Sequence, residues 1–171
     1  MLAALPAQAR LLLSQKQALA LAFDPSLMVE RKTAYLSEEQ AERAQREGQV
    51  QIDSRVWTYY VGSSSRGVEG YAYFDTHIVR TMSETFMAVL EPHGEIRFVE
   101  LLSFLEPPDY EPKPRWLGQF GGKSLSTDLM VRRGIRNITG ASLTSQKLTD
   151  GMRRILAVHS LLHAEKSKIA P

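Results

Sequence analysis

Between Arg55 and Ser103 the chain makes four β-rich runs, and the connections between them are short. The runs are Arg55–Val61, Gly70–Val79, Thr85–Leu90 and Glu95–Ser103. Val, Ile, Tyr, Phe, Trp and Thr dominate them, and these side chains suit a pleated, half-buried surface. Gly62-Ser-Ser-Ser-Arg-Gly67 is a flexible turn, and Pro92-His93-Gly94 is a hairpin turn. A parallel pair needs a crossover of a dozen residues or more, which these connections lack, so neighbours in sequence must pair antiparallel. This one constraint predicts an antiparallel sheet and excludes a doubly wound parallel one.

Helices are predicted on either side. From Ser142 to about Glu165, Leu148, Met152, Ile155, Leu156, His159 and Leu162 fall on one stripe of a helix, which would pack on the sheet. Near the start, Ser14-Gln-Lys-Gln17 has capping-box spacing and opens a short helix that Asp24-Pro25 ends. Residues 27–35 read as a modest strand. Ser37-Glu-Glu-Gln40 is a second capping box, heading a polar helix that Gly48 terminates. The expected class is α+β: an antiparallel sheet packed with helices, a long C-terminal helix and a small N-terminal helical appendage. Residues 10–50 form the appendage, 51–165 the ligand-binding domain and 166–171 a tail. Residues 1–9 read either as a secretory-signal remnant, with Ala7-Gln8-Ala9 as the cleavage site, or as a frayed helix end.

The absence of cysteine excludes disulfides, thiolate catalysis and iron–sulfur ligation. No run of about 18 apolar residues is present, so no membrane span is expected. Charge is unevenly placed. Residues 1–112 carry 10 Lys/Arg against 16 Asp/Glu, and residues 113–171 carry 11 against 3. A basic C-terminal third suits a phosphate-bearing ligand and, on charge alone, a nucleic-acid surface equally.

That basic third contains a hydroxyl-rich stretch where the last helix should begin: Thr139-Gly140-Ala141-Ser142-Leu143-Thr144-Ser145. First-turn amides lack intrahelical partners and the helix dipole is positive there, so the end is an anion site. The four hydroxyls can donate to phosphate oxygens. The plain alternative is an N-cap, for which Ser and Thr are preferred in any case.

The stretch resembles the (Ser/Thr)-Gly-Ala-(Thr/Ser)-x-Thr-Ser signature of FMN-binding domains, found in FMN-bearing subunits of the Rnf and Nqr redox complexes. Two upstream segments add to the likeness. Phe104-Leu-Glu106-Pro-Pro-Asp-Tyr110 is similar to the family's Glu-Thr-Pro-Gly turn, and Trp116 to Ser124 to its Phe-x-Gly-Lys segment. Together they span roughly residues 68–160. The resemblance implies FMN as cofactor, with Ser142 at the position that a flavin transferase joins to the phosphate. Two departures leave covalency open: Arg136 stands where the pattern has Asp, and the acceptor is Ser where Thr is commoner. Arg136 could instead supply a cation to a phosphate held without a covalent bond.

In this flavin reading the site comprises Thr139, Gly140, Ala141, Ser142, Leu143, Thr144 and Ser145, with Gly122, Lys123, Glu106, Trp116 and Arg136. Lys123 would bring charge to the ligand or to solvent. Glu106 would hold its loop by accepting backbone N–H bonds or touch the flavin. Trp116 would wall the ring or anchor the Pro-rich segment, and Phe120 is expected to anchor. Gly121-Gly122-Lys123-Ser124 is no P-loop, because Leu117 stands where the first glycine is required. No metal or catalytic constellation is suggested; Asp75, Glu84 and Asp128 are scattered in sequence, and His159/His163 reads as partly core. The function expected is an electron-transfer protein handing electrons between redox partners such as a membrane redox complex or a cytochrome. It would work in the periplasm or at the outer face of the cytoplasmic membrane. A flavin-dependent reductase ranks second and a nucleic-acid-binding module last; nucleic acid is not the expected partner.

Overall fold

The structure is a computed structural model and describes residues 10–163. The signal-remnant reading of residues 1–9, the 166–171 tail and the end of the expected last helix lie outside the described residues. The elements in chain order are β1 (Arg10–Leu11), α1 (Gln15–Ala22), β2 (Met28–Tyr35), α2 (Glu38–Gly48), β3 (Val56–Ser64), β4 (Gly67–Ile78), β5 (Ser83–Leu90), β6 (Ile96–Phe104), α3 (Pro114–Leu117) and α4 (Ser142–His163).

The fold is α+β. One antiparallel sheet has the strand order β1-β6-β5-β4-β3-β2, and its centre is the expected four-strand meander. Both predicted capping boxes form: Ser14 closes on Gln17 and Ser37 on Gln40. The N-terminal helix–strand–helix segment shares this sheet, because β2 pairs with β3 from Met28↔Ser63 to Tyr35↔Val56. Its helices lie on opposite faces. Ala18 and Ala22 of α1, with Phe23, cover Ala72, Met87, Val89 and Leu102. The other face carries Tyr71, Tyr73, Phe86 and Leu90 against Leu148, Met152, Ile155 and Leu156 of α4, with Ala44 of α2 in the same core. The period-2 alternation of β4 and β5 thus feeds two separate cores.

Two residues seat α4. Arg153 is 2% exposed, and its guanidinium donates to the carbonyls of Gly48, Ser126 and Leu129, at 2.7, 2.7 and 2.9 Å. Three dipoles from two segments thereby replace water around a buried cation. Gly151 brings the helix close to the sheet: a Cβ there would lie 2.6 Å from Asp75 Oδ2 and 2.9 Å from the Phe86 ring. Gly151→Ala should therefore destabilise the fold by about 1–3 kcal/mol through overpacking, despite alanine's better helix propensity. Urea unfolding checks this as a lower midpoint at unchanged slope.

Candidate functional site

The chain enters α4 through Gly140, whose φ of +79° is a conformation that glycine adopts without strain. Ala141 N–H donates to Ile138 O, and Ser145 N–H donates to Ala141 O at 3.1 Å. Ala141 is therefore the residue whose carbonyl receives the first helical bond. It has no side-chain oxygen with which to cap the first turn. The amides of Ser142, Leu143 and Thr144 are left as the orphan donors of the helix, and no acceptor among the described residues covers them. The plain Ser/Thr N-cap does not form.

The four hydroxyls divide. Thr139 and Ser142 are exposed, and Ser142 Oγ accepts from Asn137 Nδ2 at 2.9 Å. Thr144 and Ser145 are buried. Ser145 Oγ accepts from Ile138 N–H and donates to Ala141 O, so it fixes the turn and is not offered to a ligand. The expectation that all four hydroxyls serve phosphate is corrected for Ser145, whose hydroxyl is committed to the turn; Ser142 and Thr144 are the two that line a small pit at this helix end.

Opposite the helix end, Val79, Arg80, Glu106 and Tyr110 complete a shallow pit of about 20 Å³. Glu106 Oε1 accepts from the backbone N–H groups of Arg80, Thr81 and Met82 at 3.0, 2.8 and 2.9 Å. These bonds, that from Thr81 first, hold its carboxyl below the usual range. Glu106 thus takes the loop-holding role, and the loop held is the β4–β5 turn, while its side chain also lines the pit. Arg80 lies over the Tyr110 ring at 5.4 Å, which sets a cation beside the pit.

The remaining expected residues are spread along the edge of the sheet. Trp116 Nε1 donates to Arg136 O at 2.6 Å, and the indole packs edge-on against buried Phe120. Trp116 thus ties the Pro-rich segment to the strand-like lead into α4, and the Arg136 side chain is exposed. Gly122 N–H donates to Ile96 O and Ile96 N–H to Lys123 O, which places both residues at the start of β6. The pit lies beyond the other end of that strand, roughly 25 Å away at about 3.3 Å per residue. Gly122 and Lys123 are therefore not brought to Ser142.

The structure also assembles a group that sequence spacing did not reveal. Asp75 and His77 share one face of β4, and Glu84 on β5 stands opposite His77. His77 Nδ1 is 2.8 Å from Asp75 Oδ2 and its Nε2 is 3.5 Å from Glu84 Oε1; Arg154 Nη2 adds a 3.2 Å contact to Asp75. Burial alone would lower the His77 pKa, but the two carboxylates outweigh it and raise the value to about 9. Burial raises that of Glu84, which is fully enclosed. The i, i+2 spacing of Asp75 and His77 was the available signal. Its meaning depended on β5 supplying Glu84 in register.

The chain matches no protein-family model, and no curated protein is significantly similar to it. No helix among the described residues is long and apolar enough to cross a membrane.

Glu106→Gln should cost about 1.5–3 kcal/mol, the range for hydrogen bonds to charged groups. Because the folded carboxyl titrates below its unfolded value, its contribution is fully present above roughly pH 5 and is lost as pH falls below about 4. Denaturant midpoints of the two proteins should converge in acid. A constant gap across that range would mean that the charge is not what holds the turn.

Proposed function

We propose that this chain is an FMN-binding electron-transfer protein, with the flavin phosphate on the first turn of α4 and Ser142 as its attachment point. One observation carries the reading: the uncapped amides of Ser142, Leu143 and Thr144 have no acceptor among the described residues and lie beside the exposed Ser142 hydroxyl, inside the stretch that resembles the flavinylation signature. Those amides and the helix dipole favour a dianionic group. Arg80 lines the same pit and adds positive charge. Ser142 Oγ already accepts from Asn137, an orientation that leaves its own proton free to depart when the oxygen attacks the flavin phosphate of a flavin dinucleotide donor, the pyrophosphate bond breaks and the nucleotide monophosphate leaves. Held without that bond, the phosphate would still meet the same donors.

Bound FMN supplies the redox chemistry, and the protein supplies binding, orientation and electrostatics. The proposal includes protein redox partners on both sides of the transfer, a flavin transferase where the link is covalent, and a site of action outside the cytoplasmic membrane. These follow from the resemblance.

Co-expression with a flavin transferase, followed by denaturation, intact mass and visible spectrum, tests the reading. The wild-type chain should gain FMN less one water, and Ser142→Ala should gain nothing. Yellow protein that loses its colour on denaturation would retain FMN binding and reject the bond. Flavin still joined to Ser142→Ala would reject the attachment residue. A colourless wild-type protein at the unmodified mass would reject the function.

A further inference from the structure

The central sheet splits at one end. Pairing between β3 and β4 runs from Ser64↔Gly67 to Tyr59↔Tyr73 and stops there, although β3 begins at Val56 and β4 continues to Ile78. Each strand keeps its outer neighbour through the same stretch. Val56, Trp57 and Thr58 stay paired with Tyr35, Ala34 and Thr33 of β2, and Phe74 to Ile78 stay paired with Met87 to Ser83 of β5. The β2–β3 pair has therefore peeled away from β4–β5, and a cleft of about 1310 Å³ occupies the gap.

Hydrogen-bond alternation shows what the lips present. Leu36 N–H donates to Arg55 O, so the main-chain groups of Val56 and Thr58 turn away from β2 and into the gap. Ser54 Oγ satisfies Val56, which leaves Thr58 open on that lip. On the other lip, Val79 N–H donates to Met82 O, so the main-chain groups of Phe74, Thr76 and Ile78 face the gap. Donors and acceptors thus alternate along both walls, with Trp57 and Tyr60 offering aromatic surface and Gln45 and Gln49 adding amides. At one side Asp75 is neutralised by His77 and Arg154.

The stripe of α4 that reaches the cleft begins at the helix end already described. Leu143, Lys147, Asp150 and Arg154 follow at i, i+4, i+7 and i+11, one stripe of α4; the first lines the pit and the other three line the cleft. Lys147 is five residues beyond Ser142, about 7.5 Å along the axis at 1.5 Å per residue. A molecule with its phosphate on the first turn can follow that stripe.

We propose that the cleft is the seat of the isoalloxazine ring, whose phosphate end lies at Ser142; this rests on the flavin reading given above. The pyrimidine edge of the ring alternates carbonyl acceptors with an N–H donor, which matches open main-chain walls and glutamine amides. Its flat apolar surface suits Trp57 and Tyr60. An inserted strand of a partner is the competing occupant. Such a strand would pair with one open edge only, and because the lips diverge from a shared hinge at Tyr59–Tyr73 it would leave the other edge unmet.

The test uses the FMN-loaded protein and reads flavin fluorescence. Trp57 and Tyr60 against the ring should quench it several-fold relative to free FMN, with the full yield returning on proteolysis. Thr58→Phe and Thr76→Phe fill the cleft from opposite lips, use a residue that strands accommodate, and leave Ser142 untouched. Each should load FMN and recover most of the free-FMN fluorescence, because the ring is displaced while the phosphate stays. Loaded wild-type protein as bright as free FMN, or equal quenching in all three proteins, would overturn the cleft as the ring site and return the open edges to a partner strand. Failure of the wild type to load FMN at all would defeat the flavin reading itself, and this inference with it.

Discussion

A buried guanidinium fixes the geometry on which the rest depends. Arg153 sits near the middle of α4, and its hydrogen bonds all go to backbone carbonyls, from the end of α2 and from the segment between Ser126 and Leu129. A cation in such a place is strongly penalised unless every direction offers a dipole, so the three segments must meet in one arrangement. Gly151, two residues earlier, lets the same helix press onto Asp75 and Phe86. With position and rotation both constrained, the first turn of α4 has to open beside the β4–β5 turn. Glu106 holds that turn through three N–H bonds.

What then distinguishes this helix end is the cap. Ser14 and Ser37 close the first turns of α1 and α2 with their own hydroxyls. At α4 the cap position holds alanine, and the nearest serine that could turn inward, Ser145, is spent on Ile138 and Ala141. Three donors remain in a pit with Arg80. An anion placed there would be stabilised by donors already fixed in place by the fold, so little reorganisation would oppose its binding.

Much of the architecture was legible because it is local. Short connections force antiparallel neighbours, the two capping boxes form where their spacing put them, and the stripe from Leu148 onward does bury against the sheet. Long-range events were not legible. The 27–35 strand carried no mark of which edge it would join, and nothing in β3 or β4 announced that their pairing would stop at Tyr59–Tyr73. The same limit governs the site. The hydroxyl-rich start of α4 around Ser142 could be read from its neighbours in sequence, whereas the joining of Asp75, His77 and Glu84 needed strand register. The remoteness of Lys123 follows from the path of residues 105–123 back along β6, where Lys123 ends beside Ile96.

The central claim is that the first-turn amides of α4 receive the flavin phosphate. It is tested most directly by backbone amide shifts in ¹⁵N-labelled protein as FMN is added. The account predicts the largest phosphate-dependent changes at Ser142, Leu143 and Thr144, present with FMN and much reduced with riboflavin, which lacks the phosphate. Equal changes with both ligands, or changes confined to the exposed basic segment Arg132–Arg136, would contradict it.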